Sequence, residues 1–238
     1  WVVDFCNKLL EEGIQLNWSL PSGTRSEALD KESLNLLKKT GCNYLVYAPE
    51  SASLRTLSKI KKKIKLDQLT KSVLEAKKQD LTVRINLIIG FPEETWVDIF
   101  KTLIYGLKMS ACGVDEAPLY IFSPYPGTEI FKNLEQQNKI NLDDNYFLEL
   151  NALNSSYLSD RIITHNPKIN TRLLGTLRTF FMIANYSVGY LFFPKRIFRT
   201  LKNIFSSHEA ITVLEHRLKD FIQRKFAVKV KSNHTKAI

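Results

Sequence analysis

The sequence predicts an α/β fold of about four parallel strands with covering helices, followed by a helical C-terminal extension. Three observations predict it. Short runs rich in β-branched and aromatic residues begin near residues 14, 42, 81 and 115. Each is followed by a segment with helical spacing of its apolar residues, and turn or capping residues separate the two. Four βα units in succession require a parallel sheet, with functional loops at the carboxyl ends of its strands. The pattern alone leaves open whether the sheet is part of a (β/α) barrel or an open, doubly wound sheet.

The elements follow in order. Trp1 to Glu12 read as an amphipathic helix with Val2, Phe5, Leu9 and Leu10 on one face, closed by Gly13. Ile14 to Leu20 is a short strand. Asp30 caps a helix that ends at Gly41, and Cys42 to Ala48 (CNYLVYA) form the second strand. A helix spans about Leu66 to Lys78, and Leu81 to Ile89 (LTVRINLII) make a nearly continuous apolar strand. Thr95 to Met109 are helical, with Thr95 and Asp98 spaced as in a capping box. Asp115 to Phe122 form the fourth strand and Glu129 to Gln137 the next helix. Residues 1–150 thus hold the βα units. Residues 151–226 read as a helical, basic, aromatic-rich extension, and 227–238 as a frayed, disordered tail.

Composition narrows the chemistry. With 44% hydrophobic and 24% charged residues among 238, the chain is globular rather than disordered. Its net charge of +10 is unevenly placed: residues 1–150 hold 19 basic and 20 acidic side chains, and residues 151–238 hold 15 and four. Basicity belongs to the last third and is not evidence for nucleic acid as a partner. Cys6, Cys42 and Cys112 lie 36 and 70 residues apart, which excludes a disulfide framework and any CxxC or CxxxCxxC run. His165, His208, His216 and His234 show no ligand spacing. No signal peptide is visible, so a cytoplasmic location is expected.

The strand-end loops read PSGTR (21–25), APES (48–51), GFPEET (90–95) and SPYPGTE (123–129). Glu50 ends a buried strand, where a carboxylate must find donors: either ligand hydroxyl or ammonium groups, or the helix starting near Ser53. Gly90 lacks a Cβ, which admits a flat ligand to the backbone or simply makes a turn. Pro92 holds Phe91 extended. Two prolines stiffen the fourth loop and hold Tyr125 at the mouth, where it can stack or donate a hydrogen bond. Lys59 to Lys65 (KIKKKIK) lack interleaved aromatics and read as a solvated helix edge. Lys62, twelve residues after Glu50, is the lysine placed to reach a ligand carboxylate.

In order and spacing, these loops resemble the radical S-adenosylmethionine (SAM) enzymes that carry an N-terminal cobalamin-binding domain. The nearest branch is that of anaerobic magnesium-protoporphyrin monomethyl ester cyclase-like proteins. The resemblance covers about residues 1–150. It implies a partial (β/α) barrel, of which this chain holds the third to sixth strands. Glu50 and Ser51 match the family's "ES" element near bound SAM. Gly90, Phe91, Pro92 and Glu94 match its "GFPxE" element on the adenine side. Pro124 to Gly127, with Tyr125, match its "PYPG" corner, and Arg25 matches an arginine after the third strand. Lys62 falls where a basic residue holds the SAM carboxylate. Ala52 departs from the pattern, since a glycine is usual there. The CxxxCxxC loop that binds the family's [4Fe-4S] cluster is absent; because the chain opens inside a helix, that loop, the first two strands and the cobalamin domain are expected upstream of residue 1. The implied chemistry is one-electron cleavage of SAM to methionine and a 5′-deoxyadenosyl radical, with cobalamin as methyl carrier or redox partner. An apolar small molecule, such as a porphyrin or lipid, is the implied substrate. This chain would contribute SAM positioning, and the missing N-terminal half of the same protein would be its partner.

The tail supports a different reading, a non-catalytic scaffold or membrane-surface module. Thr179 to Pro194 is an uncharged, aromatic-rich stretch of 16 residues, shorter than the roughly 20 that span a bilayer. Lys195, Arg196, Arg199 and Lys202 follow it. That pattern suits peripheral membrane contact through 179–205, or an amphipathic helix packed on the barrel with its basic face solvated.

Overall fold

The computed structural model describes residues 1–22, 29–155, 164–205 and 212–235. The chain divides into two compact units, Trp1–Tyr186 and Ser187–Ile238.

In the first unit, β1 (Trp18–Leu20), β2 (Cys42–Glu50), β3 (Thr82–Ile89) and β4 (Leu119–Ile121) form one parallel sheet in the order β1-β2-β3-β4. A doubly wound sheet needs a reversal of strand order. Here the order never reverses, so successive right-handed crossovers keep their helices on one face. This is the arrangement of a partial (β/α) barrel with four parallel strands and covering helices.

The covering helices are α2 (Lys31–Lys39), α4 (Leu66–Lys78) and α5 (Trp96–Ala111), with α1 (Val2–Glu11) packed on α2. Asp30 caps α2 by accepting from the Ser33 amide at 2.8 Å, and Thr95 and Asp98 close a full capping box on α5. Gly41 ends the α2 turn at φ +85°, and a Cβ there would lie 1.7 Å from the Leu16 carbonyl oxygen. No side chain fits that position.

β3 shows why the layers form. Val83, Ile85, Leu87 and Ile89 are fully buried against Leu69, Val73, Ile99 and their neighbours, each burial worth about 2 kcal/mol. The alternating Thr82, Arg84, Asn86 and Ile88 are half-buried on the opposite face. The strand that reads as continuously apolar is therefore two-sided. Its second face carries a polar row: Tyr44 donates to Glu116 at 3.3 Å, and Arg84 donates to Asn86 at 2.9 Å and to the Tyr120 hydroxyl.

The edge strands are shorter than the sequence suggests. β1 begins at Trp18 rather than Ile14, because it has β2 alone as partner and its register slips between Trp18 and Ser19. β4 begins at Leu119 rather than Asp115, since Pro118 has no amide to give; upstream, Glu116 makes an isolated bridge to Arg84.

α3 (Leu54–Lys59), α6 (Glu129–Gln136) and α7 (Asp144–Ser155) follow the strand-end loops, and Phe131, Leu134, Ile140 and Tyr146 form a second small core. α8 (Thr171–Phe192) buries Leu174, Phe181 and Met182 in the main core. Gly106 of α5 allows this approach, because a Cβ there would meet Phe181 at 2.6 Å. The stretch 164–186, with the first part of α8, therefore belongs to the sheet-bearing unit, and the division falls near 186 rather than 150.

The second unit holds the end of α8, α9 (Lys195–Phe205) and α10 (Val213–Thr235). α10 is helical through Thr235, across the stretch from 227 that reads as frayed in sequence; Ala, Lys and Val there carry no helix-breaking Gly or Pro. No helix among the described residues is long and apolar enough to cross a membrane.

Candidate functional site

The strand-end loops enclose a cleft of about 920 Å³ in the first unit. Glu50, Phe91, Pro92, Glu94 and Tyr125, drawn from three loops, line it together.

β2 leaves the sheet through Glu50 at φ +64°, the left-handed region that non-glycine residues seldom adopt. β3 leaves through Gly90 at φ +87°. The Glu50 carboxylate does not cap α3; Ser53 does that, accepting from the Thr56 amide at 3.3 Å. Its partner is Lys62, whose Nζ donates to Oε1 at 2.7 Å, with both side chains close to one-third exposed. The pair presents one carboxylate and one ammonium at the end of β2.

The lysines of this run are solvated except at Lys62, yet three of them are paired across loops. Lys59 pairs with Glu93 of the β3 loop at 2.8 Å, Lys61 with Glu129 of α6 at 2.5 Å, and Lys62 with Glu50. Three cations of one segment thus tie it to three different loops.

Glu94 is 2% exposed, with Oε2 accepting from the Gly90 amide at 2.6 Å and the Phe91 amide at 3.3 Å. Burial pushes its carboxyl up to about 7, against those two bonds, and the neighbouring Asp98 adds to the rise. Asp98 behaves oppositely. Burial opposes its ionisation, but hydrogen bonds from Ser53 and Thr95 and from Arg55 outweigh it and hold the carboxyl well below the usual range.

The remaining residues singled out by sequence are placed differently. Ser51 is fully buried, bonded to Thr102 at 3.0 Å and to the Ser53 amide, and does not line the cleft. The space where a Gly90 Cβ would stand is held by Leu174 at 2.7 Å, so the approach reserved for a flat ligand is filled by α8. Arg25 lies outside the described residues. Cys6 and Cys42 are buried in the core, away from the cleft, and Cys112 is exposed as the C-cap of α5. Among the described residues no group of three or more His, Cys, Asp or Glu could hold a metal ion. The cysteines present do not fit an iron–sulfur cluster.

Several cleft residues escape sequence reasoning. Phe122 packs on Phe91 with ring centroids 4.7 Å apart. Arg55 joins Asp98 at 2.6 Å to the Glu93 carbonyl at 3.0 Å. His165 lines the cleft, burial pushing its pKa down. Beside it Asn166, 1% exposed, donates to the carbonyls of Phe91 at 2.7 Å and Glu94 at 2.8 Å, pinning the β3 loop from 72 residues away. The one available signal was a polar residue directly before a proline.

The chain is similar to three known proteins. The chain is 32% identical over 130 residues to an uncharacterized methyltransferase of Pyrococcus horikoshii, covering 55% of this chain and 27% of that protein. It is 28% identical over 139 residues to tRNA-2-methylthio-N(6)-dimethylallyladenosine synthase of Xylella fastidiosa, covering 58% of this chain and 26% of that protein. Radical SAM-type enzymes are among its relatives. Methylornithine synthase, a solved structure, aligns over 63% of this chain and 41% of its own with a TM-score of 0.41 and 21% identity. No protein-family profile matches the chain. The chain spans about a quarter of the length of the curated relatives it matches.

Proposed function

We propose that the cleft is a SAM site and that the sheet-bearing unit is the SAM-positioning part of a radical SAM-type enzyme. The observation that carries this reading is the convergence of Glu50, Phe91, Pro92 and Tyr125, far apart in sequence, on one cleft at the carboxyl ends of parallel strands. Glu50 is suited to accept hydrogen bonds from an ammonium or ribose hydroxyls, and Lys62 to donate to a carboxylate; the two groups of the pair match the charged end of an amino acid. The Phe91–Phe122 pair offers an apolar wall for a nucleobase. Glu94 and Asn166 act one step back, holding the loop that carries Phe91.

The reaction of the complete protein is part of the same proposal. A [4Fe-4S] cluster bound elsewhere would supply the electron that cleaves SAM, and this chain's cysteines take no part in holding it. Methyl transfer is supported by the name of the Pyrococcus relative; cobalamin as its carrier rests on the resemblance of the four loops alone. Ile88, Ile121 and Phe122 favour a largely apolar substrate, with the Tyr120 hydroxyl, held by Arg84, available for its polar substituents.

Equilibrium dialysis of the chain against SAM tests the reading. Saturable binding at millimolar SAM is expected, weakened about tenfold in Glu50→Gln by loss of one charge-assisted pair. Absence of saturable binding, or a folded Glu50→Gln variant that binds unchanged, would overturn it. No 5′-deoxyadenosine should form from the chain alone after incubation with iron and sulfide.

A further inference from the structure

The second unit contains a helix packed inside out. Along α9, Ile197, Phe198, Leu201, Ile204 and Phe205 fall on one arc of the helical wheel, and Lys195, Arg196, Arg199, Thr200 and Asn203 on the other. A helix of a water-soluble unit buries its apolar arc. This one buries the polar arc: Thr200 and Asn203 are 8% and 6% exposed, donating to the two oxygens of a fully buried Glu215 on α10 at 3.0 and 2.9 Å. Arg199 approaches the same carboxylate at 3.6 Å. Phe198 and Phe205 are each 74% exposed, and Ile197 and Leu201 are 42% and 48% exposed. The orientation is fixed by a satisfied buried carboxylate, so the apolar arc cannot turn inward without stranding Glu215.

We infer that α9 is a docking helix for an anionic lipid surface, lying flat with Phe198, Leu201 and Phe205 in the headgroup boundary. Charge selects this occupant. The unit from Ser187 holds eleven lysines and arginines against three acidic residues, a net +8, and α9 itself carries Lys195, Arg196, Arg199 and Lys202 with no acid. Lys195 and Lys202 are exposed along the border of the apolar arc nearest Phe198, where each cation near an anionic surface strengthens binding about fivefold. A second copy would meet the same face with like charges. At 11 residues α9 is about 16 Å long, enough to lie in the interface and too short to cross it.

The test is co-sedimentation of the full chain with vesicles of phosphatidylcholine alone or with one-third phosphatidylglycerol, alongside a Phe198→Ser/Phe205→Ser variant and a Lys195→Glu/Lys202→Glu variant. Both pairs are exposed, so circular dichroism should match the parent. Binding to the anionic vesicles is expected, falling with salt and at least tenfold weaker in each variant. A Phe198→Trp chain should show a blue-shifted emission on adding anionic vesicles. No binding at low salt overturns the inference, as does binding that neither pair weakens. Dimerisation abolished by the serine pair, without lipid binding, would assign the face to a second copy instead. SAM binding by the first unit is a separate readout, and neither result predetermines the other.

Discussion

Glu94 shows how a side chain singled out by sequence can line a cleft and hold its own loop at once. Its place in GFPEET reads as a cofactor contact, yet its carboxylate turns back to hold the Gly90 and Phe91 amides. Residue spacing reveals a loop, but the direction of a carboxylate depends on which amides are left bare when the loop closes. Its ionisation has a measurable consequence. An acid whose folded pKa, about 7, exceeds its unfolded value of 4.5 stabilises the fold while protonated. That contribution is complete below the unfolded value, fades as pH rises through the folded one, and is absent above it. Glu94→Gln keeps an acceptor for both amides without a charge to bury. Urea unfolding should find the variant more stable at pH 8 by up to about 3 kcal/mol and without the loss of stability that Glu94 gives the parent between pH 5 and 7. A parent whose stability is flat across that window would contradict the assignment.

At the scale of elements, the helices were legible because their signals are local: Asp30 and Thr95 cap where their residue types suggest, and at α3 Ser53 takes the cap that Glu50 could have supplied. Edge strands were less so, since their length depends on neighbours that the sequence does not announce. Partners distant in sequence left no trace. Asn166 is the clearest case, two hydrogen bonds of one buried amide fixing a loop 72 residues upstream. Asn166→Ala should destabilise the unit by about 2–3 kcal/mol by leaving two carbonyls unsatisfied. Hydrogen exchange should then accelerate first at the amides of residues 90–94. Uniform acceleration across the sheet would mean that Asn166 props the whole unit instead. The lysine run carries a similar lesson: composition called it a charged edge, whereas its three ion pairs follow from where the β2, β3 and β4 loops end.

At the scale of the molecule, the number of strands and their parallel pairing were readable from the four βα units. The choice between barrel and doubly wound sheet was not, because periodicity carries no strand order. The division at 186 was hidden for a related reason: α8 is one continuous helix whose first part joins the core of the sheet. All three tryptophans, Trp1, Trp18 and Trp96, lie in the first unit, so their fluorescence reports on it alone. Truncation after Phe193 should leave the tryptophan-detected urea transition within about 0.5 kcal/mol of the parent, while helical ellipticity falls. A transition shifted well beyond that margin would show that the two units melt as one.

The uninterrupted strand order also fixes a sequence of assembly. β2 and β3 share the longest ladder and the most completely buried faces, whereas β1 and β4 add three residues each at the margins. Closing a loop of about forty residues is the entropic hurdle for the central pair, and once crossed it templates both neighbours. Leu45→Ala, in the middle of β2, should chiefly slow refolding in stopped-flow fluorescence, and Leu119→Ala on β4 should chiefly hasten unfolding. The ties within and between the β2 and β3 loops, Lys62 to Glu50 and Lys59 to Glu93, can form with that central pair, whereas the tie from Lys61 to Glu129 waits for β4. The wall of the cleft that carries Phe122 and Tyr125 is therefore the last to arrive.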